Sequence, residues 1–405
     1  MADPPADAVN DIWGDDPLGF LIAPTTAGDF IAGVYERAPL VVARADPDRF
    51  ASLLSIGSID RILSGVDLKV GQIDLANAAR DIPRSDYLDS NGYIDRGAIA
   101  RQYQGGATII LQQMHQLDPA LARFCRALEH VFSCHIQTNI YLTPPSAQGF
   151  RTHYDNHDVL VLQVSGEKAW RLHEAPVPIP YRGERFSSRD HDPGKVSREF
   201  VMKAGDCAYI PRGLMHDAQT SGTEPSLHIT VGLIVKTWAE LMVEAVSEVA
   251  LRDPDFRRSL PPGFARADFD RGDARAMFAK LVGSLASLAT LDPALDLFID
   301  TFIRSRAPDT RGALMDAQRA PAAADGYGLR PFTPWRVETS GEEATLLTAG
   351  GAVAFAAAER AALTLVLRGA PFAIAELPLA EESRADFIRR LQAYGVIRRL
   401  DQTAP

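Results

Sequence analysis

The spacing of apolar positions changes several times along the chain. Residues 1 to about 24 read as a tail and a lead-in segment. Thr25 and Thr26 then offer an N-cap to an amphipathic stretch carrying Phe30, Ile31, Val34 and Tyr35, which Pro39 ends. Leu40 to Ala43 is a short strand candidate, and Phe50 to Leu63 a short helix. From about residue 107 the pattern shifts. The run ATIIL predicts a strand. Asp118 and Pro119 pair as N-cap and first helical residue, ahead of Leu121, Phe124, Cys125, Leu128, Val131 and Phe132 at helical spacing. On that stripe Cys125 reads as a small core residue.

Short β-like runs follow, separated by Gly and Pro: residues 135–143, 158–166, 168–174, 198–206, 207–213 and 226–235. Many short strands with turn signals between them predict a sandwich or barrel. The interruption at 175–197, rich in Pro, Arg and Ser, reads as an insertion loop of functional length. After Val235 the strands stop. Residues 237–251 predict a helix with Trp238, Leu241, Met242, Ala245 and Val249 on one face, and further helical patterns cover 273–290 and 293–305. A Pro-, Ala- and Gly-rich linker spans Ala307 to Pro334. The last segment predicts helices around 356–367, 372–377 and 383–394, the third closed by Gly395, and then a terminal strand VIRRL. The expected domains are thus 1–235, 236–306 (helical), 307–334 (linker) and 335–405.

The length of 405 residues supports two to three domains, and 46% hydrophobic with 23% charged residues is ordinary for a globular chain. A formal charge of −10 argues against general nucleic-acid binding and suits a basic or neutral partner. The segment 356–401, with seven Arg against six acidic residues, is nearly balanced in charge and favours a packing or interaction module over a DNA reader. The three cysteines, Cys125, Cys134 and Cys207, form no CxxC and suggest neither a disulfide framework nor a thiolate zinc site. The acidic, proline-broken start lacks a signal-peptide pattern, and the most apolar long stretch, Gly350 to Leu367, is interrupted by Glu359 and Arg360. A cytoplasmic protein without membrane association is expected.

Chemistry concentrates in RTHYDNHDVLVLQVSGEKAWRL (151–172) and YIPRGLMHDA (209–218). His153 and Asp155, two apart in an extended segment, project to one face. His216 follows sixty-three residues after His153, at the end of another strand past a Pro-Arg-Gly turn. Two imidazoles and one carboxylate on one face of a metal leave three coordination positions open, as in non-haem Fe(II) oxygenases. His157 shares the face of His153 in a regular strand and competes as a ligand, unless a turn directs it away or into the pocket wall. His228 has a ligating reading and a core one, the core one favoured. His130, His135 and His173 read as structural. Lys168 opens a strand after Gly166-Glu167. Inside a barrel a lysine needs an anion, for which the distal carboxylate of 2-oxoglutarate is the natural choice. At the turn it is an ordinary exposed lysine.

The runs YLTPP, QGF ahead of HYD, VLQVSGEKAWRL, YIPRGLMH and SLHIT occur in order across residues 141–230. In this the chain resembles the JmjC-type cupin oxygenases of the ribosomal oxygenase group. The resemblance implies a mixed α/β fold with a mainly β core: a double-stranded β-helix (jelly-roll) JmjC domain, a helical dimerisation region and a winged-helix-like C-terminal domain. It implies Fe(II) on His153, Asp155 and His216, 2-oxoglutarate and O₂ as co-substrates, Lys168 on the C5 carboxylate, and Tyr141 and Asn139 beside the co-substrate. It further implies a homodimer that hydroxylates a polypeptide side chain, the β-carbon of Arg or His in a ribosomal protein. A peptide natural-product precursor is the alternative substrate. A ligand-sensing cupin joined to a winged helix, and a silent dimeric scaffold, are the non-enzymatic alternatives.

Overall fold

The computed structural model describes residues 11–181 and 183–400, so the first ten residues of the expected tail and the last five of the C-terminal segment lie outside the described residues. The chain divides into two compact units, with the boundary between Val235 and Lys236.

Among the described residues, ten strands build the first unit: β1 (Leu40–Val42), β2 (Ile73–Ala76), β3 (Thr108–Leu111), β4 (His135–Thr143), β5 (Asp158–Ser165), β6 (Glu167–Leu172), β7 (Arg198–Lys203), β8 (Cys207–Ile210), β9 (His216–Thr220) and β10 (Ser226–Ile234). Seven form one antiparallel sheet in the order β1-β8-β5-β10-β4-β3-β2, and three form a second in the order β7-β6-β9. The alternation within strands sets which side chains meet between the sheets. In β6, Lys168, Trp170 and Leu172 are buried while Arg171 between them is exposed. In β5, Val159 and Val161 join Trp170, Leu172, Met202, Ala208 and Ile210 in one apolar cluster.

The helix Pro119–Phe132 forms where its cap predicts: the Asp118 carboxylate accepts from the N–H groups of Ala120 and Leu121. It buries Leu121, Phe124, Cys125 and Leu128, whereas Val131 is exposed. Near the N-terminus, Thr26 caps Ala27–Asp29, and a π-turn over Phe30–Val34 follows. The expected helix at 50–63 begins later, at Ile56, where Ser55 supplies the capping hydroxyl.

Two corrections bear on the site. β9 is a strand that polarity hides (HDAQT), and His216 opens it rather than ending one. β8 stops at Ile210, and the chain turns through Gly213 at φ +86°. A Cβ there would lie 2.1 Å from the Val177 carbonyl oxygen, so the turn requires glycine. β2 likewise lies in a stretch without a strong strand signal.

In the second unit the helices Trp238–Arg252, Gly272–Leu288 and Leu291–Arg304 match their patterns. The expected apolar face of the first splits: Ala245 and Val249 are buried, while Trp238 and Met242 are exposed. The segment 307–334 is not a bare linker, since it holds the short helix Ala313–Asp316 and the strand β11 (Gly326–Leu329). Residues 335–355 add a meander of β12 (Trp335–Ser340), β13 (Glu343–Thr348) and β14 (Gly351–Phe355), closed by tight glycine turns. The helices Arg360–Leu367 and Glu381–Ala393 and the strand β16 (Ile397–Leu400) follow, with β11 pairing β16. The two-residue strand β15 (Phe372–Ala373) pairs the other edge of β11. No single helix among the described residues is long and apolar enough to cross a membrane.

Candidate metal centre

A cleft of about 540 Å³ opens between the two sheets of the first unit. The seven-stranded sheet contributes Thr108, Tyr141, Val159, Val161, His228 and Thr230 to its wall, and the three-stranded sheet Lys168, Trp170, His216, Asp217 and Ala218. His153 and Asp155 line the same cleft from the segment that precedes β5.

The segment and β9 are stitched together at the ligands themselves. His153 N–H donates to the His216 carbonyl at 3.1 Å, and His216 N–H donates back at 2.7 Å. The Gly213 N–H donates to the Asp155 carbonyl at 2.9 Å, so the glycine turn also holds the carboxylate-bearing residue. One candidate ligand atom from each of His153, Asp155 and His216 lies within 4.8 Å of the others. His216 Nε2 is 3.7 Å from Asp155 Oδ2.

The tautomers are set by the backbone. His153 Nδ1 contacts the Arg151 carbonyl at 2.9 Å, and His216 Nδ1 contacts the Leu214 carbonyl at 3.0 Å. A carbonyl only accepts, so each Nδ1 carries the hydrogen and each Nε2 is left as the lone pair available to a metal. Burial, then the neighbouring His153, push the His216 imidazole down to about 4, so it is neutral at pH 7, the form that ligates. Burial alone would raise the Asp155 carboxyl. The imidazoles of His153, His216 and His157 outweigh it and hold the group below the usual carboxylate range. Two imidazoles and a carboxylate match the facial donor set of a non-haem Fe(II) site.

His157 is not part of this cluster. The chain bends at Asn156 and His157, and the imidazole packs against the β10 backbone at Gly232. His228 lines the cleft at 3% exposure and is not in the cluster: its ring stacks at 4.7 Å and 2° on Tyr141, its partner across β10 and β4.

Lys168 is interior, at 4% exposure. Its ammonium donates to Thr143 Oγ1 at 3.1 Å and to His228 Nδ1 at 3.4 Å. Thr108 in turn donates to Thr143 at 3.1 Å. Every one of these partners is neutral, because burial and then Lys168 itself hold the His228 pKa well below its ordinary value. Burial pushes the Lys168 ammonium down to about 7. A cation this deep with only neutral partners is costly unless an anion joins it. Tyr141 lines the cleft, while Asn139 reaches it through the Tyr141 hydroxyl and accepts from the Gln113 N–H at 3.2 Å.

Two aromatic rings flank His153 on its other sides. Phe150, 42% exposed, is 5.5 Å from it, and Phe186 of the 175–197 loop is 6.4 Å away. Tyr154 ties that loop down by donating to the Glu184 carbonyl at 3.1 Å. Sequence reasoning did not single out Thr108, Thr143, Phe150, Phe186 or Asp217. Thr143, which closes β4 two residues beyond Tyr141 on its face, was within reach of the strand period.

A family profile described as the JmjC domain matches residues 110–241. Residues 110–241 are a JmjC domain. The JmjC domain thus covers β4 to β10 and both halves of the cluster. Ribosomal oxygenase 1 of Homo sapiens is 30% identical over 329 residues, 76% of this chain and 50% of that protein. The Culex quinquefasciatus protein named bifunctional lysine-specific demethylase and histidyl-hydroxylase NO66 is 28% identical over 354 residues, 82% of this chain and 54% of that one. The chain therefore spans about half the length of these curated relatives. Among solved structures, Escherichia coli YcfD, a ribosomal oxygenase in complex with cobalt and succinic acid, superposes with a TM-score of 0.53 at 16% identity, covering 94% of this chain and 99% of that one. That likeness is one of fold.

Proposed function

We propose that this chain is an Fe(II)- and 2-oxoglutarate-dependent oxygenase that hydroxylates a polypeptide side chain, with the β-carbon of an Arg or His in a ribosomal protein as its target. The observation that carries the reading is a pair: the His153, Asp155 and His216 cluster, and a buried lysine in the same cleft with no carboxylate partner among the described residues. A zinc hydrolase or a cupin isomerase uses the first feature and has no need of the second.

In this reading His153 and His216 hold Fe(II) through Nε2 and Asp155 through a carboxylate oxygen. The chemistry bound iron supplies is to couple decarboxylation of 2-oxoglutarate by O₂ to insertion of one oxygen atom into a substrate C–H bond, with succinate and CO₂ as co-products. Lys168 donates charge-assisted hydrogen bonds to the distal carboxylate and so orients the co-substrate's keto-acid end toward the cluster. Thr143 and Tyr141 complete that wall, with Asn139 steadying the tyrosine. Val159, Val161 and Trp170 keep water from the reacting end. The named relatives and the cobalt and succinic acid in the E. coli neighbour support the same assignment.

The net charge of −10 suits a basic polypeptide substrate. Exposed apolar side chains on the second unit's helices, Trp238 at 75%, Leu251 at 78% and Phe278 at 70%, support the helical region as a homodimer contact. The C-terminal segment is then a winged-helix-like packing module, and the enzyme acts in the cytoplasm.

The test is succinate formation from 2-oxoglutarate with Fe(II) under air, beside a no-iron control and His216→Ala, followed by ribosomal-protein peptides read by a mass gain of one oxygen. Turnover that needs iron and His216 is expected. Full iron-dependent turnover by His216→Ala refutes the ligand assignment, and failure to bind 2-oxoglutarate refutes the oxygenase reading.

A further inference from the structure

Asp217 follows His216 and is 2% exposed, yet both of its carboxylate oxygens are fully used. Oδ1 accepts from Arg171 Nε at 2.9 Å and from Nη2 at 2.6 Å. Oδ2 accepts from Thr152 Oγ1 at 2.9 Å and from His173 Nε2 at 3.0 Å. These donors come from the two elements flanking β9: Arg171 from β6 and His173 just beyond it, and Thr152 from the segment that carries His153. Thr152 precedes one candidate ligand and Asp217 follows the other. Their side chains therefore bolt the segment to β9 alongside the paired backbone hydrogen bonds between His153 and His216. Arg171 pairs directly with Asp217 across β6 and β9, which fixes the carboxylate in register.

In β9 Asp217 alternates with His216 and pairs with the outward-facing Arg171, so its side chain stands on the face of the strand opposite the His216 imidazole. It is absent from the group of three whose ligand atoms converge. We infer that Asp217 is a positioning residue: from the far face of β9 its carboxylate gathers Arg171, His173 and Thr152 and so fixes the spacing of His153 and His216. The inference rests on the metal reading above.

The experiment is Co(II) titration of the full chain, read by visible absorption, on Asp217→Asn, Thr152→Val and Thr152→Ser, with the parent and His216→Ala as references. Asparagine keeps the shape but has one acceptor oxygen and turns an amide toward N–H donors. Loss of such an outer partner weakens metal affinity about 10–100-fold. Asp217→Asn is expected to show that loss with an altered absorption band, Thr152→Val a smaller loss, and Thr152→Ser the parent affinity. Circular dichroism is expected to be unchanged throughout, which a role in stability alone would not combine with the altered band. Parent affinity and spectrum in both Asp217→Asn and Thr152→Val overturn the inference. Should Asp217→Asn fail to fold, the Thr152 pair decides, and equal affinity of the Val and Ser variants overturns it. A parent that binds no Co(II), or His216→Ala binding as the parent does, overturns the metal reading and this inference with it.

Discussion

Replacing Lys168 by methionine separates stability from function. In the free protein the ammonium is buried with neutral partners, and burial moves it from 10.5 to about 7. At about 1.4 kcal/mol per pKa unit, keeping the group at neutral pH costs the fold about 4 kcal/mol. Methionine fills a similar volume without charge, and forfeits the hydrogen bonds to Thr143 and His228, worth about 1–2 kcal/mol together. The variant is therefore more stable by about 2 kcal/mol, a rise in Tm of about 4–8 °C for a unit of this size. The sign depends on pH. A lysine whose folded pKa lies below its unfolded one carries its full penalty below about pH 7 and loses it as pH rises toward 10.5, so the advantage of the variant shrinks in alkali. Binding moves the opposite way. A charge-assisted hydrogen bond of about 1.5–3 kcal/mol disappears, and 2-oxoglutarate affinity falls about 10–150-fold. Thermal melts from pH 6 to 10, and 2-oxoglutarate titration with Mn(II) replacing iron, measure both. A variant that melts below the parent refutes the buried-charge argument, and parent affinity for 2-oxoglutarate refutes the anchor.

The same depressed lysine predicts proton uptake on binding. The co-substrate's carboxylate restores the ammonium, so calorimetry above pH 7 in buffers of different ionisation enthalpy should show close to one proton taken up per 2-oxoglutarate at pH 8.5; no buffer dependence contradicts this. His216→Ala should abolish Co(II) and Fe(II) binding, since it removes the neutral imidazole that faces Asp155; equilibrium dialysis gives the answer directly. Gly213→Ala should destabilise by at least about 2 kcal/mol, because it adds a left-handed residue and drives a Cβ toward the Val177 carbonyl. Urea unfolding reads that loss, and a shift within about 0.5 kcal/mol would mean that the turn is more pliable than its geometry.

What could be read in advance, and what could not, follows from the range of the interactions. His153 and Asp155 were legible because a two-residue spacing in extended chain is local geometry, and the capped helix at 119–132 was legible for the same reason. The inward direction of Lys168 was also written locally: Trp170 and Leu172 share its face in β6 and both are buried. His216 needed more. It joins His153 only because β9 pairs with β6 and with the segment before β5, and β9 itself is HDAQT, too short and polar to announce a strand. Asp217 stayed hidden for a related reason, since a carboxylate beside a histidine reads as solvent-facing until Arg171, His173 and Thr152 are brought to it from elsewhere in the chain. The meander at 335–355 is a different case: its alternation and glycine turns are local, but the neighbouring linker composition and helical pattern drew the reading away. The polar strand and the buried carboxylate are thus the informative failures. Both break the apolar pattern at the candidate metal centre, where burying polar groups is tolerated because each finds a partner or faces the place where a ligand would supply one.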